Sequence, residues 1–321
     1  MSRDIRYSVV IPVYNEEVVL AQTYQRLKKV MSSTGESYEL IFVNDGSSDH
    51  SAALIKEYCD CDLSVKLISF SRNFGHQIAI TAGMDYAKGA AIVVIDADLQ
   101  DPPEFILEMI AKWKEGYEVV YAKRRHRSGE TFFKKQTAHL FYRLLRASTE
   151  IDIPVDTGDF RLIDRKVCDV LKQMPEKNRY VRGLVSWVGF RQTAVEYDRD
   201  PRLAGESKYP LKKMIKLCLD GLTSFSLKPI KLASYSGGAF IIIGLAYLVF
   251  LALAKLSGGL VSGWNLVLSN VWLLTGLILT MMGIMGEYVG RIYDEARNRP
   301  LYIVGESYRS EEKERSVIKI G

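Results

Sequence analysis

Cysteine is scarce in this chain. The four present, Cys59, Cys61, Cys168 and Cys218, are spaced for neither a zinc site nor a dense disulfide framework, which points to a reducing compartment. An apolar leader is missing as well: the polar residues 1–7 run directly into a strand-like segment, so no signal peptide is expected. A strong charge of one sign is also lacking. The net charge of +5 over 321 residues is modest, and no nucleic-acid partner is expected from it.

Long apolar runs, by contrast, are present. Residues 232–254 are almost wholly apolar, interrupted mildly by Ser234, Ser236 and glycines, and residues 267–285 carry no charge. Each run is long enough for a helix to cross a ~30 Å hydrocarbon core, which takes about 20 residues. Lys208, Lys212, Lys213, Lys216, Lys228 and Lys231 precede the first run, and Arg291, Arg297, Arg299 and Arg309 follow the second; the connection between them, 255–266, has one basic residue. The positive-inside rule then places both large flanks in the cytosol. The expectation is an integral protein of the cell (inner) membrane with two spans and cytosolic termini. Its parts would be a catalytic domain over 1–205, an amphipathic segment over 206–231, the two helices over 232–289 and a tail over 290–321.

Before residue 130 the pattern alternates. Apolar strand-like segments fall at 7–13, 38–43, 65–70, 91–95 and 118–121, and the stretches between them, 17–30, from 51 and 77–87, have helical spacing or turn-and-cap residues. Strands alternating with helices imply an α/β, Rossmann-like, mostly parallel sheet with helices on both faces. Ligands of such sheets collect beyond the carboxyl ends of the strands. The polar clusters lie there: 12–17, 44–49, 71–75 and 96–101.

The last cluster is the densest. Val-Val-Ile-Asp-Ala-Asp-Leu-Gln-Asp-Pro-Pro, at 93–103, ends an apolar strand in acids and is stopped by two prolines. Alternation would point the carboxylates of Asp96 and Asp98 to one side of the strand end. Two such groups repel unless a cation lies between them, and hard oxygen ligands suit Mg2+ or Mn2+. A surface turn with solvated acids is the alternative on these residues alone.

Taken together, Pro-Val-Tyr-Asn-Glu at 12–16, Val-Asn-Asp-Gly-Ser-Ser-Asp at 43–49, Ser-Arg-Asn-Phe-Gly at 71–75 and Asp-Ala-Asp-Leu-Gln-Asp-Pro-Pro at 96–103 resemble the family 2 glycosyltransferases, whose fold is called GT-A. The nearest resemblance is to the polyisoprenyl-phosphate branch, which includes the bactoprenol glucosyltransferases and dolichol-phosphate mannose synthase. It covers nearly the whole chain. It implies that Pro12, Tyr14, Glu16 and Asp45 hold the base and ribose of a nucleotide-sugar, with Arg72 near phosphate and Asp96 and Ala97 against the nucleotide. Asp98 is the first expected ligand of the Mg2+ or Mn2+, with Asp96 and Gln100 sharing it. Arg124 or Arg125, at the end of the strand over 118–121, is expected on a phosphate, and Asp101 is read as a turn residue.

The acceptor side is expected from Thr-Gly-Asp-Phe-Arg at 157–161 and from Arg-Asp-Pro-Arg-Leu-Ala-Gly-Glu-Ser-Lys-Tyr at 199–209. Asp159, read as projecting from a loop ahead of a helix over 164–174, is implied to be the catalytic carboxylate, as a base or as an orienting group. Arg199, Arg202, Ser207 and Lys208 are implied to grip an anionic lipid head. Residues 211–227 read as an interfacial amphipathic helix.

The resemblance thus implies inverting transfer of a single sugar, from UDP-glucose or UDP-N-acetylglucosamine, to polyisoprenyl (undecaprenyl) phosphate, by a homo-oligomer such as a tetramer. A processive polysaccharide synthase would carry further spans and a Gln-x-x-Arg-Trp sequence, which does not occur here. A non-catalytic nucleotide-sugar-binding scaffold is opposed by the presence of Asp96, Asp98, Asp159 and Arg202 together.

Overall fold

The computed structural model describes residues 5–125, 157–174, 176–177, 179–198, 263–309 and 319–320, with scattered single positions between 235 and 256. Its first half follows the alternation read above: β1 (Tyr7–Val13), α1 (Glu17–Ser33), β2 (Tyr38–Asn44), α2 (Ser51–Cys61), β3 (Val65–Phe70), α3 (His76–Tyr86), β4 (Ala91–Val94), α4 (Phe105–Lys114) and β5 (Val119–Arg124). After it come β6 (Thr157–Asp164), α5 (Arg165–Gln173), α6 (Val181–Trp187), β7 (Gln192–Tyr197), α7 (Gly263–Ala296), β8 (Ile303–Tyr308) and β9 (Lys319–Ile320).

The strands form one sheet in the order β7-β5-β6-β4-β1-β2-β3-β8-β9. Its central block, β4-β1-β2-β3, is parallel, as expected from the crossover helices; β6 joins β4 and β8 joins β3 antiparallel. Residues of period two divide β1 between two cores. Val9, Ile11 and Val13 pack with Leu20 and Leu27 of α1, Ile55 of α2 and Met109 of α4, whereas Val10 packs with Ala79 and Ile80 of α3 and Leu184 of α6. Burial on both faces explains why these strands read as continuous apolar runs. α3 lies so close to β1 that a Cβ on Gly83 would fall 2.1 Å from Val10 Cγ1.

Pro12 lies inside this central block without cost. Val10 O accepts from Ile95 N at 3.1 Å and Val13 O accepts from Asp45 N at 2.9 Å, so even-numbered residues of β1 face β4. β4 ends at Val94, opposite Val10, and therefore no ladder bond is asked of the nitrogen that proline lacks.

Two expectations change. Asp159 lies in the strand β6, paired antiparallel with β4 through Ala91↔Asp164 to Val94↔Arg161, and not in a loop. Residues 303–308, read as part of the tail, add the strand β8 to the sheet edge, fastened by the Lys56–Glu306 ion pair at 2.7 Å and by Tyr308 OH donating to Asp60 at 2.6 Å.

The membrane placement is corrected: among the described residues no helix is long and apolar enough to cross a membrane, so an integral, two-span localisation is not supported. The second apolar run lies in α7, where Asn265, Ser269, Asn270, Thr275 and Thr280 break the apolar sequence and Glu287, Arg291, Asp294 and Glu295 charge its end. The first run, 232–254, falls largely outside the described residues, as does the amphipathic segment 211–227 wholly.

Candidate active site

The loops after β1 and β2 are stitched together. Ser47 Oγ accepts from Asn15 N at 3.0 Å, Asp49 Oδ2 accepts from Glu17 N at 3.2 Å, and Asn15 Oδ1 accepts from Ser48 N at 2.8 Å, with Asn15 itself in the left-handed region at φ 54°. Glu16 is partly buried beside them, its N–H donating to Ser51 Oγ at 3.1 Å. Tyr14 stands out with 42% of its surface exposed, as a stacking residue requires.

Asp45 is spent on the chain itself. Its Oδ1 accepts from Phe74 N at 2.7 Å and Gly75 N at 3.2 Å, and its Oδ2 from Asn73 Nδ2 at 2.9 Å and Gly75 N at 3.0 Å. Burial pushes this carboxyl up from its ordinary range, against the lowering by the Phe74 and Gly75 N–H groups. The bonds fix the turn that launches α3. Gly46 belongs to the same junction: at φ 68°, a Cβ there would meet Arg72 C and Asn73 N at 2.6 Å. Arg72 lies exposed over the Phe74 ring, 4.1 Å from its centroid.

α3 opens on His76 and Gln77, and both reach Asp159. His76 Nε2 and Gln77 Nε2 each lie 3.2 Å from Asp159 Oδ2. Arg182 closes the other side with two bonds, Nε to Oδ1 at 2.8 Å and Nη2 to Oδ2 at 3.1 Å. Burial alone would raise the Asp159 carboxyl, but Arg182 and His76 outweigh it and hold the group well below the ordinary carboxylate range. Arg161 supports the strand from within the core, donating to Asp159 O at 3.3 Å and Gly158 O at 2.9 Å.

Asp96 approaches the same histidine, with Oδ1 3.4 Å from His76 Nε2. That oxygen is buried and receives no hydrogen bond. Burial pushes Asp96 up to about 6, against the pull of His76. Burial opposes the charge on His76, yet Asp96 and Asp159 raise it to about 9. Downstream, Ala97 O accepts from Thr23 Oγ1 at 2.7 Å, Asp98 Oδ1 accepts from Gln100 N at 3.1 Å, and Leu99 takes φ 56° to make the bend. Among the described residues no group of three His, Cys, Asp or Glu gathers to hold a metal ion.

Asp101 is no turn residue at the surface but a buried carboxylate. Its Oδ1 accepts from Tyr197 OH, whose oxygen also accepts from Arg124 Nε at 3.3 Å. Arg124 therefore points into the site past Gly158, where a Cβ would come within 3.1 Å of Arg124 Nη2. Arg125 turns away and meets Glu196 at 3.8 Å. Arg199, Arg202, Ser207 and Lys208 lie outside the described residues.

The cleft thus gathers an exposed tyrosine and a carboxylate with an orphan oxygen, both beyond the ends of parallel strands, and a buried ionised aspartate on the antiparallel strand β6. Residues 8–171 match the model of glycosyl transferase family 2. The chain belongs to that family. An uncharacterised glycosyltransferase of Bacillus subtilis, YkcC, is 65% identical over 98% of this chain and 97% of its own length. The bactoprenol glucosyl transferase of Shigella phage SfII is 39% identical over 95% of this chain and 99% of its own. A solved structure of glucosyl-3-phosphoglycerate synthase from Mycobacterium tuberculosis, in complex with Mn2+, uridine diphosphate and phosphoglyceric acid, is 18% identical over 68% of this chain and 75% of that one, with a TM-score of 0.46. As in the GT-A fold of this family, the site lies on an α/β sheet whose central strands are parallel.

His76, Gln77 and Arg182 escaped the sequence reading. His76 directly follows the Ser-Arg-Asn-Phe-Gly motif at the first position of a helix, which was a usable signal. Arg182 had none, because one arginine on a short helix resembles any solvated basic residue.

Proposed function

We propose that this chain transfers one sugar, with inversion, from UDP-glucose or UDP-N-acetylglucosamine to polyisoprenyl phosphate. The observation that carries this reading is Asp159, a carboxylate 6% exposed and kept ionised beside Asp96 at the strand ends. Family membership supports glycosyl transfer, and the relatives named bactoprenol glucosyl transferases support a polyprenyl carrier as acceptor.

Tyr14, Glu16 and the neighbouring strand-end loops take the nucleotide, Tyr14 by stacking on the base. Pro12, Ala97 and Asp45 shape that pocket through the backbone. Asp96 and Asp98, with Gln100, suit a Mg2+ or Mn2+: their oxygens are hard donors, and the orphan Oδ1 of Asp96 is the atom such an ion would satisfy. Because no third acidic ligand gathers among the described residues, the rest of its shell would come from the diphosphate. When bound, the ion supplies charge neutralisation to the departing diphosphate. Arg124 adds a fixed positive charge on the same side, and Arg199, Arg202, Ser207 and Lys208 hold the acceptor's phosphate.

An acceptor phosphate monoester has a second pKa of about 6 and is already ionised near neutrality. It attacks without surrendering a proton, from the face opposite the diphosphate. Purified protein given labelled UDP-sugar and undecaprenyl phosphate should form a lipid-linked sugar when Mg2+ or Mn2+ is present. EDTA, or the substitution Asp98→Asn, should abolish it with the thermal melt retained. A rate that survives both would remove the ion from this reading, and product with no UDP-sugar would remove the donor.

A further inference from the structure

Three nitrogens of Arg182 are committed to one strand, β6. Nε and Nη2 hold the two oxygens of Asp159 in parallel, and Nη1 donates to Thr157 O at 3.1 Å, two positions earlier on the same strand. Arg182 therefore fixes both the plane of the carboxylate and the backbone beneath it, a geometry that an arginine fork provides and a lysine does not. The remaining face of the carboxylate is taken by His76 and Gln77. Gln77 Oε1 in turn accepts from Val181 N at 3.0 Å, which locks the start of α6, and with it Arg182, to the start of α3. Oδ2 meets His76 Nε2, Gln77 Nε2 and Arg182 Nη2 while Oδ1 meets Arg182 Nε, so the charged form of the carboxylate is the one its neighbours hold in place.

We propose that Arg182 is a positioning residue for the transfer, holding Asp159 as a fixed anion that acts on the reacting sugar by its charge and takes up no proton. This rests on the glycosyl-transfer reading above. In that step a lone pair of the acceptor phosphate oxygen forms the new bond to the anomeric carbon. The bond from that carbon to the diphosphate oxygen breaks, its electron pair leaves with the diphosphate, and no proton changes hands. Positive charge develops on the sugar meanwhile, and an oriented anion lowers its energy only if the anion cannot turn away or be protonated.

Four full-length proteins test this: wild type, R182Q, D159N and the double variant, with R182K as a fifth that keeps the charge but loses the fork. Turnover of UDP-sugar onto undecaprenyl phosphate should fall about 100-fold in kcat for R182Q, with KM for the nucleotide-sugar within about threefold, and about tenfold for R182K. In the D159N background, adding R182Q should change kcat less than about threefold, because the residue it acts through is gone. Denaturant melts of the same proteins should place the double variant above R182Q, whose buried carboxylate has lost its partner. Penalties that multiply in an active enzyme would overturn the inference alone, as would a raised KM at unchanged kcat, which would make Arg182 a direct ligand of the donor. Absence of product from wild type with either sugar would overturn the transfer reading, and this inference with it.

Discussion

Asp45 and Asp159 are both buried carboxylates at one cleft, yet their partners differ in kind. Asp45 takes neutral donors, three backbone N–H bonds and one amide, whereas Asp159 takes a bidentate arginine, a histidine and an amide. Their acidities diverge accordingly: burial wins at Asp45 and raises it, and the charged partners win at Asp159 and depress it. The same side chain thus serves as a loop fastener in the parallel half of the sheet and as a stored negative charge in the antiparallel half. Burial of an acid does not identify a reactive group; the charge on its partners does.

The comparison can be broken most readily at Asp45. Asp45→Ala leaves the Phe74 and Gly75 N–H groups without acceptors, and a loss of about 2–3 kcal/mol in a denaturant melt is expected. A melt unchanged by this substitution would deny Asp45 its fastening role. A smaller effect should sharpen the Asp159 side. The folded-state pKa of His76 is raised from 6.5 to about 9, so in protein free of divalent ions its stabilising contribution is full below about pH 6.5 and disappears as pH climbs through about 9. The contribution of Asp159, whose pKa is depressed below 3.8, runs the other way: present above that value, it is lost as pH falls through the folded one. The melt difference between wild type and His76→Gln should therefore shrink between pH 6.5 and 9; a difference that grows over this window contradicts the pairing. The smallest effect belongs to a pair outside the cleft. Arg26 and Glu104 meet at 2.6 Å on the surface, and Glu104→Gln should cost no more than about 0.5 kcal/mol in the same melt. A larger loss would mean that exposed ion pairs rank with the buried one.

Much of the parallel half was legible because its signals are local. Apolar runs of strand length, each followed by a polar turn and a helical pattern, marked β1 to β4 within a residue or two. Asp96 and Asp159, expected from their motifs, both approach His76. What stayed hidden depends on contacts between distant segments. Thr157 and Gly158 resemble a turn, yet the pairing of Thr157 with Lys123 of β5 draws them into a strand. Asp101 looked solvated because its partners, Tyr197 and Arg124, come from other strands. β8 is six residues with a central glycine, and only the vacant edge of β3 gives it a reason to extend. Arg182 became a site residue once α6 was laid against α3.

That late strand also sets an order of events during synthesis. Cys59 and Tyr308, which meet through Sγ and a carbonyl at 3.8 Å, are 249 positions apart in the chain. At about 5–20 residues per second, the edge of β3 waits on the order of 10–50 s after emerging before β8 exists to cover it. An uncovered strand edge is a template for foreign pairing throughout that interval. The short β8 closes it late, so a ribosome that stalls before residue 303 releases a sheet with its β3 edge open to other chains.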